Sequence, residues 1–433
     1  MTELLIRGRV LTFIDEPSDI ADTASYRYAE DGALLVRGGK IAAMGDYADI
    51  TRLAGADTPV ADHRPHLVVP GLIDAHIHFP QMQAVASYAA QLLEWLNTYT
   101  FIEEQKFADE QHAQFIAERF MDELLRHGTT TVAAYCSVHP QSVDAFFRAA
   151  ERRDMCVIGG KVMMDRNAPP TLLDTAQSGY DDTKALIARW QGRGRLHYAI
   201  TPRFAITSTP EQMEMSGALA REHPDCYVQT HLSENHEEIA LTRSLYPDAP
   251  DYTGIYEHYG LLGGKTLLGH CIHLTERETK VLAETGSVAV FCPTSNLFLG
   301  SGLFDRERLQ TQGVRIAVAT DIGGGTSFSM LKTMDEAYKV LQLRGQRLSP
   351  LHSFYMMTLG NARALSLENR IGTLEPGTDA DITVLDAGAT TAMRMRRDTM
   401  RTLLEELFLL QTLGDDRTVA EVYVAGKPMK KAL

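Results

Sequence analysis

The 433-residue sequence predicts an α/β protein: a distorted (β/α)8 barrel of the TIM type beside a small β-sandwich domain built from both chain ends. Two observations predict it. Both ends carry short β runs that glycine turns separate, and the middle carries eight short apolar runs separated by helix-like stretches. Near-continuous apolar strands are expected in a parallel sheet covered by helices. An open doubly wound sheet is the alternative.

The chain ends predict the β domain. "ELLIRGRVLTF" and "GALLVRGGKIAAMG" alternate in polarity, and the Gly38–Gly39 pair inside the second stretch, between "LLV" and "IAAMG", indicates a hairpin. "GTLEPGTDADITVLD" and "VAEVYVAGKPM" near the other end combine turn dipeptides with β-rich runs. We therefore expect residues 1–68 and 371–433 to form one domain around a barrel of residues 69–370.

The eight apolar runs predict the barrel strands, and helix signals lie between them. Thr209 followed by Pro210 is typical of a helix start, as is Thr275 with Glu278 three residues later. Gly286 is placed to end the second of these helices. The runs span residues 67–78, 129–135, 155–164, 196–201, 226–231, 266–270, 287–291 and 314–320.

Composition excludes some classes of function. The net charge of −14 disfavours binding to nucleic acid or to an anionic membrane. We find no run of about eighteen apolar residues and no secretory signal at the N-terminus. The five cysteines form no CxxC pair, which is typical of reduced thiols in a cytoplasmic protein.

Histidines at the first predicted strand indicate a metal site. His76 and His78 are two residues apart in "PGLIDAHIHFPQ", so both rings share one face of the strand. At the carboxyl end of a barrel strand, that face belongs to the mouth, where active sites lie. With fifteen histidines in the chain, the pair alone does not separate a metal site from chance.

Three further strand ends carry polar residues. His231, His270 and Asp321 each follow an apolar run at the position expected to face the mouth. Each alone is compatible with a helix cap, but together with His76 and His78 they suit Zn²⁺ or another divalent transition metal. Three neighbours are set aside: His236 lies beyond the strand, His273 is out of register with His270, and Cys271 points to the opposite face.

Glu234 lies three residues after His231, just past the strand and near the predicted metal. A carboxylate there can take a proton from metal-bound water and deliver it to a leaving group. Bound Zn²⁺ lowers the pKa of water to about 7, which makes hydroxide available at neutral pH. A helix-start glutamate favoured by the helix dipole is the structural alternative.

Taken together, these motifs resemble the amidohydrolase superfamily over nearly the whole chain. "PGLIDAHIH" is similar to its first metal motif, and "GTLEPGTDADITVLD" to its return into the terminal β domain. A closer resemblance is to the guanine deaminase family, in segments such as "HIHFPQ", "LLEWLNTYTF", "HLSEN", "FCPTSNLFLGSG" and "TDIGGGTSFSML". The resemblance implies zinc-dependent hydrolysis of guanine to xanthine and ammonia, by attack of metal-bound hydroxide on C2.

The same resemblance implies roles for individual residues, one zinc ion per chain and a homodimer. Asp321 and His270 would assist catalysis, the latter through the metal-bound water, and Glu234 would shuttle the proton. His78, His231, Glu234 and Asp321 would also contact the substrate. The implied metal ligands are His76, His78, His231 and Asp321, and the implied purine contacts are Gln81, Arg203 and Phe204.

Other functions stay open from the residues alone. The enzyme could deaminate a related amino-heterocycle such as 8-oxoguanine, a pterin or an aminotriazine. A two-metal amide hydrolase would need a bridging carboxylated lysine, for which Lys161 is the candidate. A non-catalytic scaffold is a third reading. The long connection from Phe79 to Phe107, which contains Trp95, is typical of a lid at a barrel mouth, and packing without a function is the alternative.

Overall fold

The eight apolar runs form one parallel, nearly closed barrel, as predicted. The computed structural model describes residues 3–88 and 91–430. Neighbouring barrel strands pair in the order β13-β12-β11-β10-β9-β7-β6-β5, with the short β8 pairing with β9. These strands are β5 Leu72–His78, β6 Thr129–Tyr135, β7 Cys156–Gly160, β8 Val162–Met163, β9 Leu196–Pro202, β10 Tyr227–Leu232, β11 Thr266–His270, β12 Val288–Phe291 and β13 Arg315–Val318.

The first apolar run contains two strands instead of one. Residues up to Pro70 belong to the terminal sheet, and the barrel strand begins at Leu72. Gly71 separates them, and a Cβ atom there would lie 2.1 Å from Thr130 Oγ1, so only glycine fits. The chain therefore passes from one sheet to the other without a loop.

The two chain ends build a mixed seven-stranded sheet in the order β16-β15-β14-β4-β1-β2-β3. The predicted hairpin forms at Gly38 and Gly39, whose φ angles are 57° and 81°. Alternate residues of β4 serve two cores, because Leu67 and Val69 join the barrel core while Val68 faces the terminal core. The strands are β1 Glu3–Phe13, β2 Tyr26–Arg37, β3 Lys40–Asp46, β4 Val60–Pro70, β14 Ile382–Leu385, β15 Val419–Val424 and β16 Lys427–Pro428.

Helices cover the outside of the barrel. Both predicted helix starts form: the side chains of Thr209 and Thr275 each accept a backbone N–H three residues on, and Gly286 ends the second helix. The α-helices are α1 Tyr47–Thr51, α2 Leu92–Trp95, α3 Phe101–Glu104, α4 Glu110–Arg126, α5 Pro140–Arg153, α6 Ala176–Trp190, α7 Pro210–Glu222, α8 His236–Leu245, α9 Tyr252–His258, α10 Glu276–Thr285, α11 Pro293–Phe298, α12 Arg306–Thr311, α13 Met330–Leu343, α14 Pro350–Tyr355, α15 Asn361–Ala364, α16 Thr391–Arg397 and α17 Leu403–Leu413.

Side chains help to close the barrel between its first and last strands. The Asn361 amide accepts from Val318 N at 2.9 Å and donates to the carbonyls of Ile73 and Val318 at 2.7 and 2.8 Å. Asp74 accepts from the backbone and hydroxyl of Thr320 at 3.1 and 2.5 Å. This seam holds the end of β13 and the residues just after it against the amino-terminal part of β5.

Within residues 3–88 and 91–430, no helix is both long enough and apolar enough to cross a lipid bilayer.

Candidate metal and substrate site

The four predicted metal ligands meet at the barrel mouth. Asp321 Oδ1 lies 3.3 Å from the Nε2 atoms of both His76 and His78, and His78 Nε2 lies 3.2 Å from His231 Nε2. All four residues are at most intermediate in exposure, and His76 is 1% exposed. Two strands, β5 and β10, therefore deliver three imidazole nitrogens to one point, and the segment after β13 brings a carboxylate to it.

The position of Asp321 differs from the expectation that it ends a strand. The last barrel strand ends at Val318, and Asp321 lies three residues on with a φ angle of 54°. Backbone bonds return it to β5: Asp321 N donates to His76 O at 2.9 Å and His78 N donates to Ile322 O at 2.6 Å. The left-handed backbone and these two bonds turn the carboxylate toward the imidazoles.

Hydrogen bonds leave Nε2 as the metal-facing atom of two rings. His231 Nδ1 donates to Arg203 O at 2.7 Å, and His270 Nδ1 donates to Asn296 Oδ1 at 2.9 Å. Such bonds fix the tautomer of metal-ligating histidines. His76 Nε2 is buried and has no hydrogen-bond partner among the described residues, although Asp321 is close. An unsatisfied buried nitrogen at this point fits the role of a metal ligand.

Charge states in the cluster also fit a divalent metal. Burial lowers the pKa of His78 to about 4 and the pKa of His231 well below its ordinary value, so both rings are neutral. Burial alone would raise the pKa of Asp321, but the neighbouring His76 and His78 outweigh it and hold that pKa well below its usual value. Neutral imidazoles and an ionised carboxylate are the donor set that Zn²⁺ takes.

Two other side chains lie close enough to be considered as ligands. Nitrogens of His76, His231 and His270 lie within 4.8 Å of one another, and so do ligand atoms of His76, Cys292 and Asp321. Burial and the nearby Asp321 raise the pKa of Cys292 well above its ordinary value, so its thiol is neutral and a poor ligand. His270 Nε2 faces Glu234 Oε2 at 3.3 Å and Asp321 Oδ2 at 3.8 Å.

Glu234 is held beside the cluster by one oxygen. Ser301 Oγ donates to Glu234 Oε1 at 2.8 Å, and Oε2 is the oxygen that faces His270. Burial and the charge of Asp321 raise the pKa of Glu234 to about 8, against a smaller lowering by Ser301. A carboxyl group whose pKa lies near neutral pH can both accept and release a proton during a reaction.

The predicted purine contacts form part of the wall of the same cleft. Gln81, Arg203 and Phe204 line it together with the metal ligands His78, His231 and Asp321. The predicted lid segment, residues 79–107, contributes apolar side chains to the wall of the cleft, because Leu92, Trp95 and Leu96 also line it. A mostly apolar cleft with a few directed polar groups is typical of a small-molecule site.

Two residues of the site were not predicted from the sequence. Glu104 is 1% exposed and accepts hydrogen bonds from both Gln81 and Arg203. Ser301 positions Glu234, as described above. Nothing in the local pattern marks either residue, since Glu104 lies in an acidic helix turn and Ser301 in a small-residue turn; only their buried polar contacts distinguish them.

Residues that were set aside lie away from the cluster. The rings of His236 and His273 are 3.9 Å apart, and His273 Nε2 donates to Ser301 O at 2.8 Å. Lys161 is buried in an ion pair with Asp174 and also donates to Val162 O at 3.3 Å. The Lys161 ammonium therefore bonds the backbone of β8 and the carboxylate of Asp174, and Lys161 does not line the cleft.

The barrel, the histidine–aspartate cluster and the adjacent acid define a metal-dependent hydrolase of the barrel type. The family model described as "Amidohydrolase family" matches residues 67–429. The chain therefore belongs to the amidohydrolase family, and within it to the group of the guanine deaminases, as the following relatives show.

The relatives match along nearly the whole chain. The guanine deaminase of Escherichia coli strain K12 is 49% identical over 414 residues, which cover 96% of this chain and 94% of that protein. A solved structure of E. coli guanine deaminase superposes with a TM-score of 0.96 at 47% identity, covering 98% and 99% of the two chains. A guanine deaminase from C. acetobutylicum with bound guanine in the active site gives a TM-score of 0.88 at 30% identity, covering 98% and 99%.

Proposed function

We propose that this protein catalyses the hydrolytic deamination of guanine to xanthine and ammonia, with one zinc ion per chain held by His76, His78, His231 and Asp321. The observation that carries the proposal is the placement of Glu234 beside this cluster, in the same cleft as the purine contacts. The guanine bound in the active site of the C. acetobutylicum relative supports the choice of substrate.

Zinc at this position would supply Lewis acidity, which brings the pKa of water near 7 and so provides a nucleophile at neutral pH. The chain supplies proton transfer. Glu234 Oε1 is fixed by Ser301, so Oε2 is the oxygen that takes a proton from the attacking water and returns it to the substrate. The pKa of about 8 allows Glu234 to work in both directions near neutral pH.

His270 orients the reacting groups. Its Nδ1–H is engaged by Asn296, so in the neutral ring Nε2 is an acceptor facing Glu234 Oε2. A protonated Glu234 can donate to this nitrogen, which keeps the carboxyl group aimed at the cluster. Asp321 Oδ2 lies 3.8 Å from the same nitrogen and completes a polar rim around the reacting carbon.

The cleft wall holds the base. Arg203 presents guanidinium donors suited to the purine O6, Gln81 presents its amide, and Phe204 offers a ring face near His231, 6.2 Å between centroids. The apolar lid residues Trp95 and Leu96 are buried, line the same cleft and exclude water from it. Exclusion of water strengthens each of these polar contacts.

Ammonia release tests the proposal. Purified protein is assayed with guanine, adenine, cytosine, pterins, an aminotriazine and 8-oxoguanine, and its zinc content is measured on the same sample. We expect fastest release from guanine and one zinc ion per chain. Faster release from 8-oxoguanine, a pterin or an aminotriazine would assign the related-heterocycle function, and absence of release from all of them would support a scaffold.

Three further parts of the proposal concern the oligomeric state, the location and the domain division. The homodimer follows from the resemblance alone and is checked by light scattering. The cytoplasmic location is supported by five cysteines that are all buried and free of disulfides. The proposed domain division at 1–68 with 371–433 is supported by the terminal sheet, although α17 packs on the barrel helices, where Gln411 donates to Met334 O at 3.1 Å.

A further inference from the structure

A buried carboxylate joins the two polar residues that line the substrate wall. Glu104 Oε1 accepts from Gln81 Nε2 at 2.9 Å, and Glu104 Oε2 accepts from Arg203 Nη1 at 2.6 Å. Glu104 and Arg203 are 1% and 3% exposed, so water does not compete for these contacts. Glu104 does not itself line the cleft, and its oxygens are taken up by the two residues that do.

The carboxylate decides which way the Gln81 amide points. An ionised carboxylate only accepts hydrogen bonds, so the amide must turn its NH2 group toward Glu104. The amide oxygen then meets Gly323 N, which only donates, at 3.1 Å. With the amide reversed, both contacts would place donor against donor or acceptor against acceptor.

The same carboxylate aligns the Arg203 guanidinium. One Nη1 hydrogen is used by Glu104, and the guanidinium carbon lies 5.4 Å from the centre of the Phe101 ring. Two neighbours from the lid segment therefore hold the planar fork in one orientation. The N–H groups of Arg203 and Gln81 that do not bond Glu104 remain as donors at the wall of the cleft.

We infer that Glu104 is a positioning residue for substrate specificity: it sets Gln81 and Arg203 as a wall of donors that selects a purine with an oxo group at C6. This inference rests on the proposed function and deepens it. An oxo oxygen accepts from such a wall, whereas the 6-amino group of adenine would place donors against donors. Sites built to hydrogen-bond a ligand group discriminate strongly against analogues that lack it.

Glu104→Gln tests the inference with nearly the same side-chain volume. The amide carries one acceptor and one donor group, so one of the two contacts, to Gln81 or to Arg203, must become donor against donor. The matched control is Glu103→Gln, because Glu103 is the preceding residue of the same helix and pairs with Lys106 at 2.6 Å, away from the cleft. Both variants are compared with the wild type for kcat and KM with guanine.

2-Aminopurine is the probe of specificity, because it keeps the 2-amino group of guanine and lacks the 6-oxo group. Its inhibition constant is measured as a competitor of guanine. In Glu104→Gln we expect the KM for guanine to rise about ten- to hundredfold. The inhibition constant of 2-aminopurine should change less than about threefold, and Glu103→Gln should match the wild type.

An equal loss of affinity for both ligands, or an unchanged KM for guanine, would overturn the inference. Zinc content and melting temperature show whether Glu104→Gln is folded. If it is not, Glu104→Asp supplies the same readout, because the shorter carboxylate keeps its charge but cannot span both partners. A wild type that releases no ammonia from guanine would refute the proposed function instead, so the two failures are distinct.

Discussion

Replacement of Glu234 by glutamine isolates proton transfer from the rest of the site. Glu234 is 2% exposed, and both of its oxygens have defined neighbours. In Glu234→Gln the amide oxygen can still accept from Ser301, and the amide NH2 can face Nε2 of His270. The variant should therefore fold and retain zinc, while a group that can accept a proton is lost.

The expected loss follows from the role of the residue. General acid–base catalysis contributes about 10²–10⁴-fold, which corresponds to about 3–5 kcal/mol of transition-state stabilisation. Because the hydrogen bonds of the site are kept, this loss should appear in kcat, and the KM for guanine should change by less than about threefold. Steady-state ammonia release measures both constants, with zinc determined on the same preparation.

A matched control makes the result specific. Glu237 is exposed in the first turn of α8, the helix that begins just after Glu234, and Glu237→Gln removes one charge three residues along the chain. We expect this control to have wild-type kcat. A zinc-loaded Glu234→Gln with a kcat within tenfold of the wild type would refute proton transfer by Glu234, whereas a loss of zinc would show that the residue serves the metal site.

The other predictions concern the ligands and their supports. His76→Ala should lose zinc and activity together, and a variant with one zinc ion per chain and a normal rate would contradict the ligand assignment. Ser301→Ala should lower kcat about ten- to hundredfold with little change in KM, because a hydrogen bond to a charged group contributes about 1.5–3 kcal/mol, and Ser301→Thr should recover most of the loss. Burial and the charge of Glu234 raise the pKa of Glu238 from 4.5 to about 7, so its contribution to stability is complete below about pH 4.5 and is lost as pH rises through 7. Urea unfolding between pH 5 and pH 8 should therefore show the wild type losing about 3 kcal/mol relative to Glu238→Gln, and a difference that is independent of pH would contradict the pKa.

Much of the fold follows from local patterns. Each barrel strand is an apolar run with a turn or helix signal on either side, and such signals act within a few residues. The histidines could be placed at the mouth because the period of two in a strand fixes which residues share a face. His76 and His78 lie where this rule puts them, on β5.

Other features depend on contacts between distant residues, and local patterns do not reveal them. Asp321 was expected at a strand end, but the strand stops at Val318. At this point the side chains of Asn361 and Asp74, rather than a further strand partner, accept the backbone N–H groups of Val318 and Thr320. The partners of Asn361 are 288 and 43 residues away in the chain. Periodicity carries no information about pairs at such separations.

Glu104 and Ser301 illustrate the same limit within the site. An acidic residue in a helix turn is most often solvated. Glu103, the residue before Glu104, has a side chain that is 18% exposed and lies against Lys106. The lid segment folds so that Glu104 turns inward, where Arg203, from 99 residues along the chain, meets its carboxylate. Only the packing of the lid on the barrel mouth distinguishes the two neighbouring acids.

One short turn ties the two reacting side chains to each other. Asn296 in α11 accepts from His270, Ser301 just beyond that helix donates to Glu234, and Ser301 N donates to Asn296 O at 2.8 Å. His270 and Glu234 come from different strands, so barrel geometry alone would let them shift independently. Because the turn bonds both, their separation of 3.3 Å is set by the six residues from Asn296 to Ser301. The loss expected in Ser301→Ala therefore measures how far proton transfer depends on this turn, beyond the strands that carry the ligands.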